Sequence, residues 1–197
     1  MSRSIQFFFD FVSPFSYLAM TQLPNLCARK DATLEFKPIP VLSLMEKVGN
    51  RPTTIECPAR GRYAMADLAR WANKYSVPFQ LNPHFQTIDS QRLLSGALAA
   101  QEFGQAQEYV QSVFDGFWVK GAAFADDQEL ADLLNEAGVS KVPEILDGIE
   151  KQESAKTKLL EEAEAAGVFG VPSMVVEGEL YFGNDRLEFL EEVLCDD

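Results

Sequence analysis

One histidine and three cysteines are all the imidazole and thiol that 197 residues hold. Cys27, Cys57 and Cys195 are far apart, odd in number and form no C-x-x-C pair, so neither a disulfide framework nor a zinc site is indicated. With His84 alone, a His-based metal site or a Ser–His–Asp triad has too few parts. No apolar run approaches the ~20 residues that span a bilayer. The N-terminus, one early arginine before an aromatic run carrying Asp10, is not that of a signal peptide. A cytoplasmic protein is expected. Any nucleophile in it must be activated by dipoles, by a cation or by a bound small molecule.

Basic charge is also scarce. Seventeen Lys and Arg against 30 Asp and Glu give a net charge of −13, which argues against nucleic acid or an anionic membrane as the main partner. From Asp126 onward stand 20 acidic and 5 basic residues, the pattern of a solvated helical surface. Between Met45 and Tyr75 the sign reverses. Lys47, Arg51, Arg60, Arg62, Arg70 and Lys74 face only Glu46, Glu56 and Asp67, a basic segment suited to a small anionic ligand. At 47% hydrophobic and 24% charged residues, the chain has the material for a real core, as one large domain or two small ones.

The rest is organised around Phe7-Phe8-Phe9-Asp10-Phe11-Val12-Ser13-Pro14-Phe15-Ser16-Tyr17-Leu18-Ala19. Aromatic residues suit a sandwiched strand, and Pro14 suits the first position of a helix, where a missing N–H costs nothing. Ser13 then becomes the N-cap. Its hydroxyl sits where a helix presents free N–H groups and partial positive charge, so an anion is stabilised there. Two readings stand at this point: Ser13 only caps the helix, or it caps the helix and serves a site.

Along the chain, Ile5–Phe9 is a strand, the helix from Pro14 is expected to kink or end early at Pro24, and 33–40 is a second strand. That is a parallel βαβ unit. Helices follow from Leu42 for more than a hundred residues: 58–75, with Met65, Leu68, Ala72 and Tyr75 on its inner face, then 89–103, 105–119, 128–137 and 143–166. Strands return at 173–177 and 180–182, joined by a turn at Gly178, before a helix from Asp185 to about Leu194. The order βαβ, helical block, ββα predicts an α/β, thioredoxin-like fold. Its boundaries are 1–42 and 167–197, around an all-helical insertion at 43–166.

At this point a resemblance appears. Asp10-x-x-Ser13-Pro14-Phe15-Ser16-Tyr17-Leu18-Ala19, Gly49-Asn50-Arg51-Pro52, Arg60-x-x-Tyr63-x-x-x-Asp67-x-x-Arg70, 167–172 (GVFGVP) and Gly183-Asn184-Asp185-Arg186-Leu187 resemble the 2-hydroxychromene-2-carboxylate isomerase family. The similarity runs through the whole chain, in order. It extends more loosely to kappa-class glutathione transferases and, for fold only, to periplasmic disulfide oxidases. In those oxidases a C-x-x-C pair occupies the position of Ser13 to Ser16, so serine at both ends excludes dithiol exchange there.

The resemblance implies glutathione as cofactor and a small aromatic 2-oxo or 2-hydroxy carboxylate, such as a chromene carboxylate, as substrate. It also implies a place in aromatic catabolism and a homodimer. The reaction implied is isomerisation by reversible thiolate addition, ring opening and elimination. Ser13 is then the catalytic residue, donating a hydrogen bond to the glutathione sulfur and favouring its thiolate. Val171-Pro172, implied to be a cis bond, offers backbone groups to the cysteinyl part. Gly183, Asn184 and Asp185 hold the γ-glutamyl end, although Asp185 with Glu188 also reads as a capping box. Asn50, Arg51 and Arg60 are candidates for the two carboxylates: Asn50 and Arg60 on the cofactor side, Arg51 with His84 on the substrate side. Arg60 stands where the family usually has lysine, which keeps the charge and changes the geometry. Ser16 is a secondary candidate or a packing residue; Trp71, Phe117 and Trp118 read as core, some of them also suited to line an apolar pocket for an aromatic ring. Two other readings stay open: a kappa-like glutathione transferase or peroxidase, and a non-catalytic thioredoxin-fold binding protein. The Asn184-Asp185 pair and the basic loop speak against the last.

Overall fold

The computed structural model describes residues 3–194; Cys195 lies outside them. Four strands, β1 (Ser4–Phe9), β2 (Thr33–Pro38), β3 (Ser173–Val176) and β4 (Glu179–Phe182), form one mixed sheet in the order β2-β1-β3-β4. β1 runs parallel to β2, with Phe7 opposite Phe36, and antiparallel to β3, with Phe8 opposite Ser173. β3 and β4 are an antiparallel hairpin whose turn residues Glu177 and Gly178 both have positive φ, at 52° and 85°. That is what a two-residue turn matched to strand twist requires.

α1 (Pro14–Lys30) joins the two parallel strands. It continues through Pro24 to Lys30, without the early end expected there. A proline inside a helix costs about 3 kcal/mol, but Leu23, Leu26 and Cys27 are buried around it. Each such side chain contributes roughly 1.5–3 kcal/mol on burial, enough to offset the lost bond.

The helical block comprises α2 (Val41–Lys47), α3 (Thr53–Glu56), α4 (Pro58–Tyr75), α5 (Ser90–Glu102) and α6 (Ala106–Asp115), which continues as a π-turn at Gly116–Lys120. α7 (Asp127–Glu136), α8 (Val142–Gly148) and α9 (Glu153–Ala165) complete it. Asp89 and Asp126 cap α5 and α7 by accepting the N–H groups of Arg92 and Glu129. The single helix expected at 143–166 is two, divided by a 3₁₀ turn (Ile149–Lys151) and Gln152. The Gln152 amide is buried there, donating to the Glu102 carboxylate and the Gly148 carbonyl. On α4, Leu68 and Ala72 face inward, whereas Met65 is 41% exposed and lies off the inner face expected for it. After the hairpin, a 3₁₀ turn (Asn184–Arg186) opens α10 (Leu187–Val193).

β1 is buried on both sides, and this locks the block to the sheet. One face, Phe7 and Phe9, continues through Phe11 into Phe114 and Tyr109 of α6, with ring centroids 4.9 Å apart for Phe11–Phe114. The other face places Phe8 with Ile39, Leu44, Ala163, Val168 and Val175. Within the block, α5 and α6 approach closely where Gly96 lies against Tyr109, whose buried hydroxyl donates to the Leu93 carbonyl at 3.2 Å. A methyl group on Gly96 would fall on that hydroxyl and ring. Gly96→Ala is therefore expected to lower stability by about 2 kcal/mol or more in urea unfolding, since overpacking a rigid core forces rotamer and backbone shifts. Unchanged stability would contradict this packing.

Candidate active site

The strand register carries the expected site residues to one end of the sheet. β1 ends at Phe9, where the turn to Ser13 begins. Antiparallel β3 starts at that end, with Val171 and Pro172 just before Ser173. β4 finishes there at Phe182, opposite Ser173, so Gly183 to Asp185 follow directly. The Gly183 N–H donates to the Pro172 carbonyl at 2.9 Å, joining these two segments.

Ser13 is the N-cap of α1. Its Oγ accepts the Ser16 N–H at 3.2 Å, and its own N–H donates to the Asp10 carbonyl at 3.0 Å. With a lone pair used on the helix, the hydroxyl proton is left to be donated outward. Ser16 packs: its hydroxyl is buried and has no partner among the described residues. The turn is pinned from both sides. Trp118 donates its indole N–H to the Phe11 carbonyl at 2.9 Å from the π-turn. The Asp10 carboxylate accepts the Val12 N–H at 3.2 Å and the Val41 N–H, the first of α2, at 2.9 Å. Burial pushes this carboxyl up to about 6, against the pull of the Val41, Val12 and Phe11 N–H groups.

The other expected residues divide into those that line this end and those that are otherwise engaged. The Val171–Pro172 bond is cis, and the Val171 N–H finds no acceptor among the described residues. Gly183 has φ of 102°, and a side chain there would collide with the Asp185 carboxylate. Asn184 is buried; its carbonyl accepts the Tyr75 hydroxyl at 3.0 Å, so the end of α4 holds this turn. Asp185 does not cap a helix. Its carboxylate pairs with Arg186, and α10 starts only at Leu187, so the expected capping box with Glu188 does not form. Asn50 donates to the Phe169 carbonyl at 2.7 Å, tying the basic loop to the segment leading to Val171.

Arg60 reaches the Thr53 hydroxyl at 3.0 Å, and Arg51 pairs with Glu56 at 2.9 Å; both side chains are at the surface. His84 lies exposed in a loop whose Phe85 packs on Phe117 and Trp118. Phe117 and Trp118 are buried, as expected, and Trp71 is half-buried against Tyr75. Asp10, given no role in advance, and Tyr75 and Trp118, expected only as packing residues, hold the site together. Asp10 was legible as the one charge inside an aromatic run; nothing marked the other two.

A cavity of about 400 Å³ lies elsewhere, between α5 and α9, lined by Asp89, Arg92, Ser95, Glu150, Glu153 and Lys156. Its cations are already paired, Arg92 with Asp127 and Glu150, and Lys156 with Glu153. At the Ser13 end, by contrast, the Ser13 hydroxyl proton and the Val171 N–H have no acceptor among the described residues.

A thioredoxin-like four-stranded sheet, the helices between its second and third strands and a serine capping the helix after the first strand define the class. The sequence profile of the DSBA-like thioredoxin domain matches residues 4–195. A 2-hydroxychromene-2-carboxylate isomerase of Sphingobium xenophagum is 35% identical over 199 residues, covering all of both chains. A glutathione S-transferase kappa 1 of Caenorhabditis elegans is 28% identical over 96% of this chain and 90% of its own. A solved 2-hydroxychromene-2-carboxylate isomerase structure superposes with a TM-score of 0.84 at 30% identity, over 98% of this chain and 94% of its own. The chain belongs to the DSBA-like thioredoxin domain family and, within it, to the 2-hydroxychromene-2-carboxylate isomerase group of enzymes.

Asp10 makes a prediction of its own. An aspartate with an ordinary value near 3.8, held at about 6 when folded, keeps a proton that the unfolded chain has released over that window. Its contribution to stability therefore falls as pH rises from 4 to 6 and is fully lost above 6, a difference of roughly 3 kcal/mol. By carbon NMR its carboxyl is expected to titrate near pH 6; a midpoint near 4 would contradict the burial argument.

Proposed function

We propose that the protein is a glutathione-dependent isomerase acting on a 2-hydroxychromene-2-carboxylate or a similar small aromatic 2-oxo or 2-hydroxy carboxylate. The observation that carries this reading is the Ser13 hydroxyl. It accepts from the Ser16 N–H and keeps its proton, at the N-terminus of a 17-residue helix. That is a donor and a partial positive charge aimed at one anionic atom.

The residues around it fit glutathione. The Val171 N–H, without an acceptor among the described residues, suits a peptide carbonyl. Asp185, at the surface, suits an ammonium group. The basic loop at Asn50, Arg51 and Arg60 suits carboxylates, with Arg60 offering a fork where its relatives usually have a point charge. Bound, glutathione supplies the thiolate for reversible addition to the substrate, which a serine with no base beside it cannot supply.

The chain's own part is binding, orientation and charge. Ser13 holds the sulfur in its ionised form; the Val171 backbone and the Gly183-Asn184-Asp185 turn fix the rest of the tripeptide. Arg51 and His84 serve the substrate carboxylate, and holding both reactants in one place supplies the proximity the addition needs. The same reading makes the protein a cytoplasmic homodimer, with a thioredoxin-like domain at 1–42 and 167–197 and a helical domain between.

Similarity to a kappa transferase supports a second reading, in which the glutathione adduct is the product. Product analysis separates the two: free thiol recovered after turnover is expected, and an accumulating adduct favours the transferase. Calorimetric titration is expected to show glutathione binding at or below millimolar concentration; no binding, or full activity without glutathione, overturns the proposal. Ser13→Ala is expected to keep binding within about threefold and to slow turnover by about 10- to 100-fold, the cost of losing one charge-directed donor. An unchanged rate would leave Ser13 as a cap only.

A further inference from the structure

We infer that Asp10 is the positioning residue of this site: its buried carboxylate holds the turn carrying Ser13 and the first residue of α2 in one fixed arrangement, and the reaction at Ser13 depends on that hold. This rests on the glutathione reading above. The geometry is specific. One oxygen accepts the Val12 N–H and the other the Val41 N–H, from segments 29 residues apart in sequence, while the Asp10 carbonyl accepts the Ser13 N–H. Asp10 is only 2% exposed. A carboxylate fits this place because both oxygens accept; an amide or a protonated carboxyl presents a donor toward one of those N–H groups and loses that bond.

Backbone N–H groups, not cations, surround it. The charged groups on the flanking elements are directed elsewhere: Lys37 of β2 to Glu35 and Glu162, Lys47 of α2 to Glu164, and Lys120 of the π-turn to Glu136. Glu46 of α2 is at the surface, and the half-buried Asp115 acts on Tyr17. The first turn of α1 carries no acidic residue. A buried charge with no ion-pair partner costs stability at neutral pH, and the N–H groups it satisfies offset that cost only in part. Control of the Ser13 turn accounts for a charged group here.

Protonation of Asp10 therefore loosens the turn, and the Ser16 amide, hydrogen-bonded to the Ser13 hydroxyl, reports it. In the protein without glutathione, the Ser16 amide shift is expected to titrate with the same midpoint as the Asp10 carboxyl carbon. A Ser16 amide that stays level while Asp10 titrates overturns the inference. With glutathione, the ratio of wild-type to Ser13→Ala turnover is read on the acid side. Thiol ionisation alone leaves that ratio level or raises it, because the thiol that Ser13 helps to ionise loses its thiolate no more steeply than the thiol in Ser13→Ala. If Asp10 positions Ser13, the ratio falls at least threefold between pH 6.5 and 5; a level or rising ratio overturns the inference.

Asp10→Asn is expected to lose turnover at least tenfold with the glutathione KM changed less than threefold, and to add little when combined with Ser13→Ala. Independent, multiplying losses overturn the inference. Should Asp10→Asn not fold, the wild-type and Ser13→Ala measurements stand alone. Absent glutathione binding would sink the functional reading; intact binding with a level amide and a level or rising ratio would sink this one.

Discussion

The hydrogen bonds that close the turn between Phe9 and Ser13 are what the rest of the structure depends on. A strand buried on both faces ends there, and the polar groups of the turn that follows are buried or half-buried. Unpaired, each would cost about 1–3 kcal/mol. The protein meets this with an indole N–H on the Phe11 carbonyl, a carboxylate on the Val12 N–H and a backbone carbonyl on the Ser13 N–H. Satisfying the end of β1 also fixes the start of α1, and with it the direction of the Ser13 hydroxyl.

This gives the helical block a second task beside covering the sheet. Through Trp118 it grips the turn from above, and through Tyr75 it holds the Asn184 carbonyl on the far side of the site. Asn50 ties its first loop to Phe169. Three separate parts of the block thus reach the segments that surround Ser13, and none of the three contacts involves a charged side chain. Beside the Asp10 carboxylate on Val41, these neutral hydrogen bonds leave the cations of the basic loop at the surface, where an anionic ligand can meet them.

The fold was legible because its signals are local and repeated: aromatic strands, proline and serine at helix starts, glycine in a hairpin. The boundaries that slipped did so where tertiary contacts override local preference. α1 passes Pro24 because the burial around it outweighs one lost bond, and the helix expected at 143–166 divides because a buried Gln152 finds partners in Glu102 and Gly148. Of the site, the segments and their convergence could be read; the contacts between them could not. Tyr75 and Trp118 look like core residues in sequence because their polar atoms matter only once a backbone carbonyl from a distant segment arrives. Asp185 looked like a cap because its spacing to Glu188 suits one, but the chain there first makes a 3₁₀ turn.

The central claim is that a neutral serine at a helix N-terminus stabilises a thiolate that the protein does not itself supply. The most direct measurement is the ultraviolet difference spectrum of glutathione bound at pH 7, read at the thiolate absorption band. A thiolate band in the wild-type complex that is largely lost in Ser13→Ala at equal occupancy is the predicted result. Equal bands in the two complexes, or no band in either, would contradict the account.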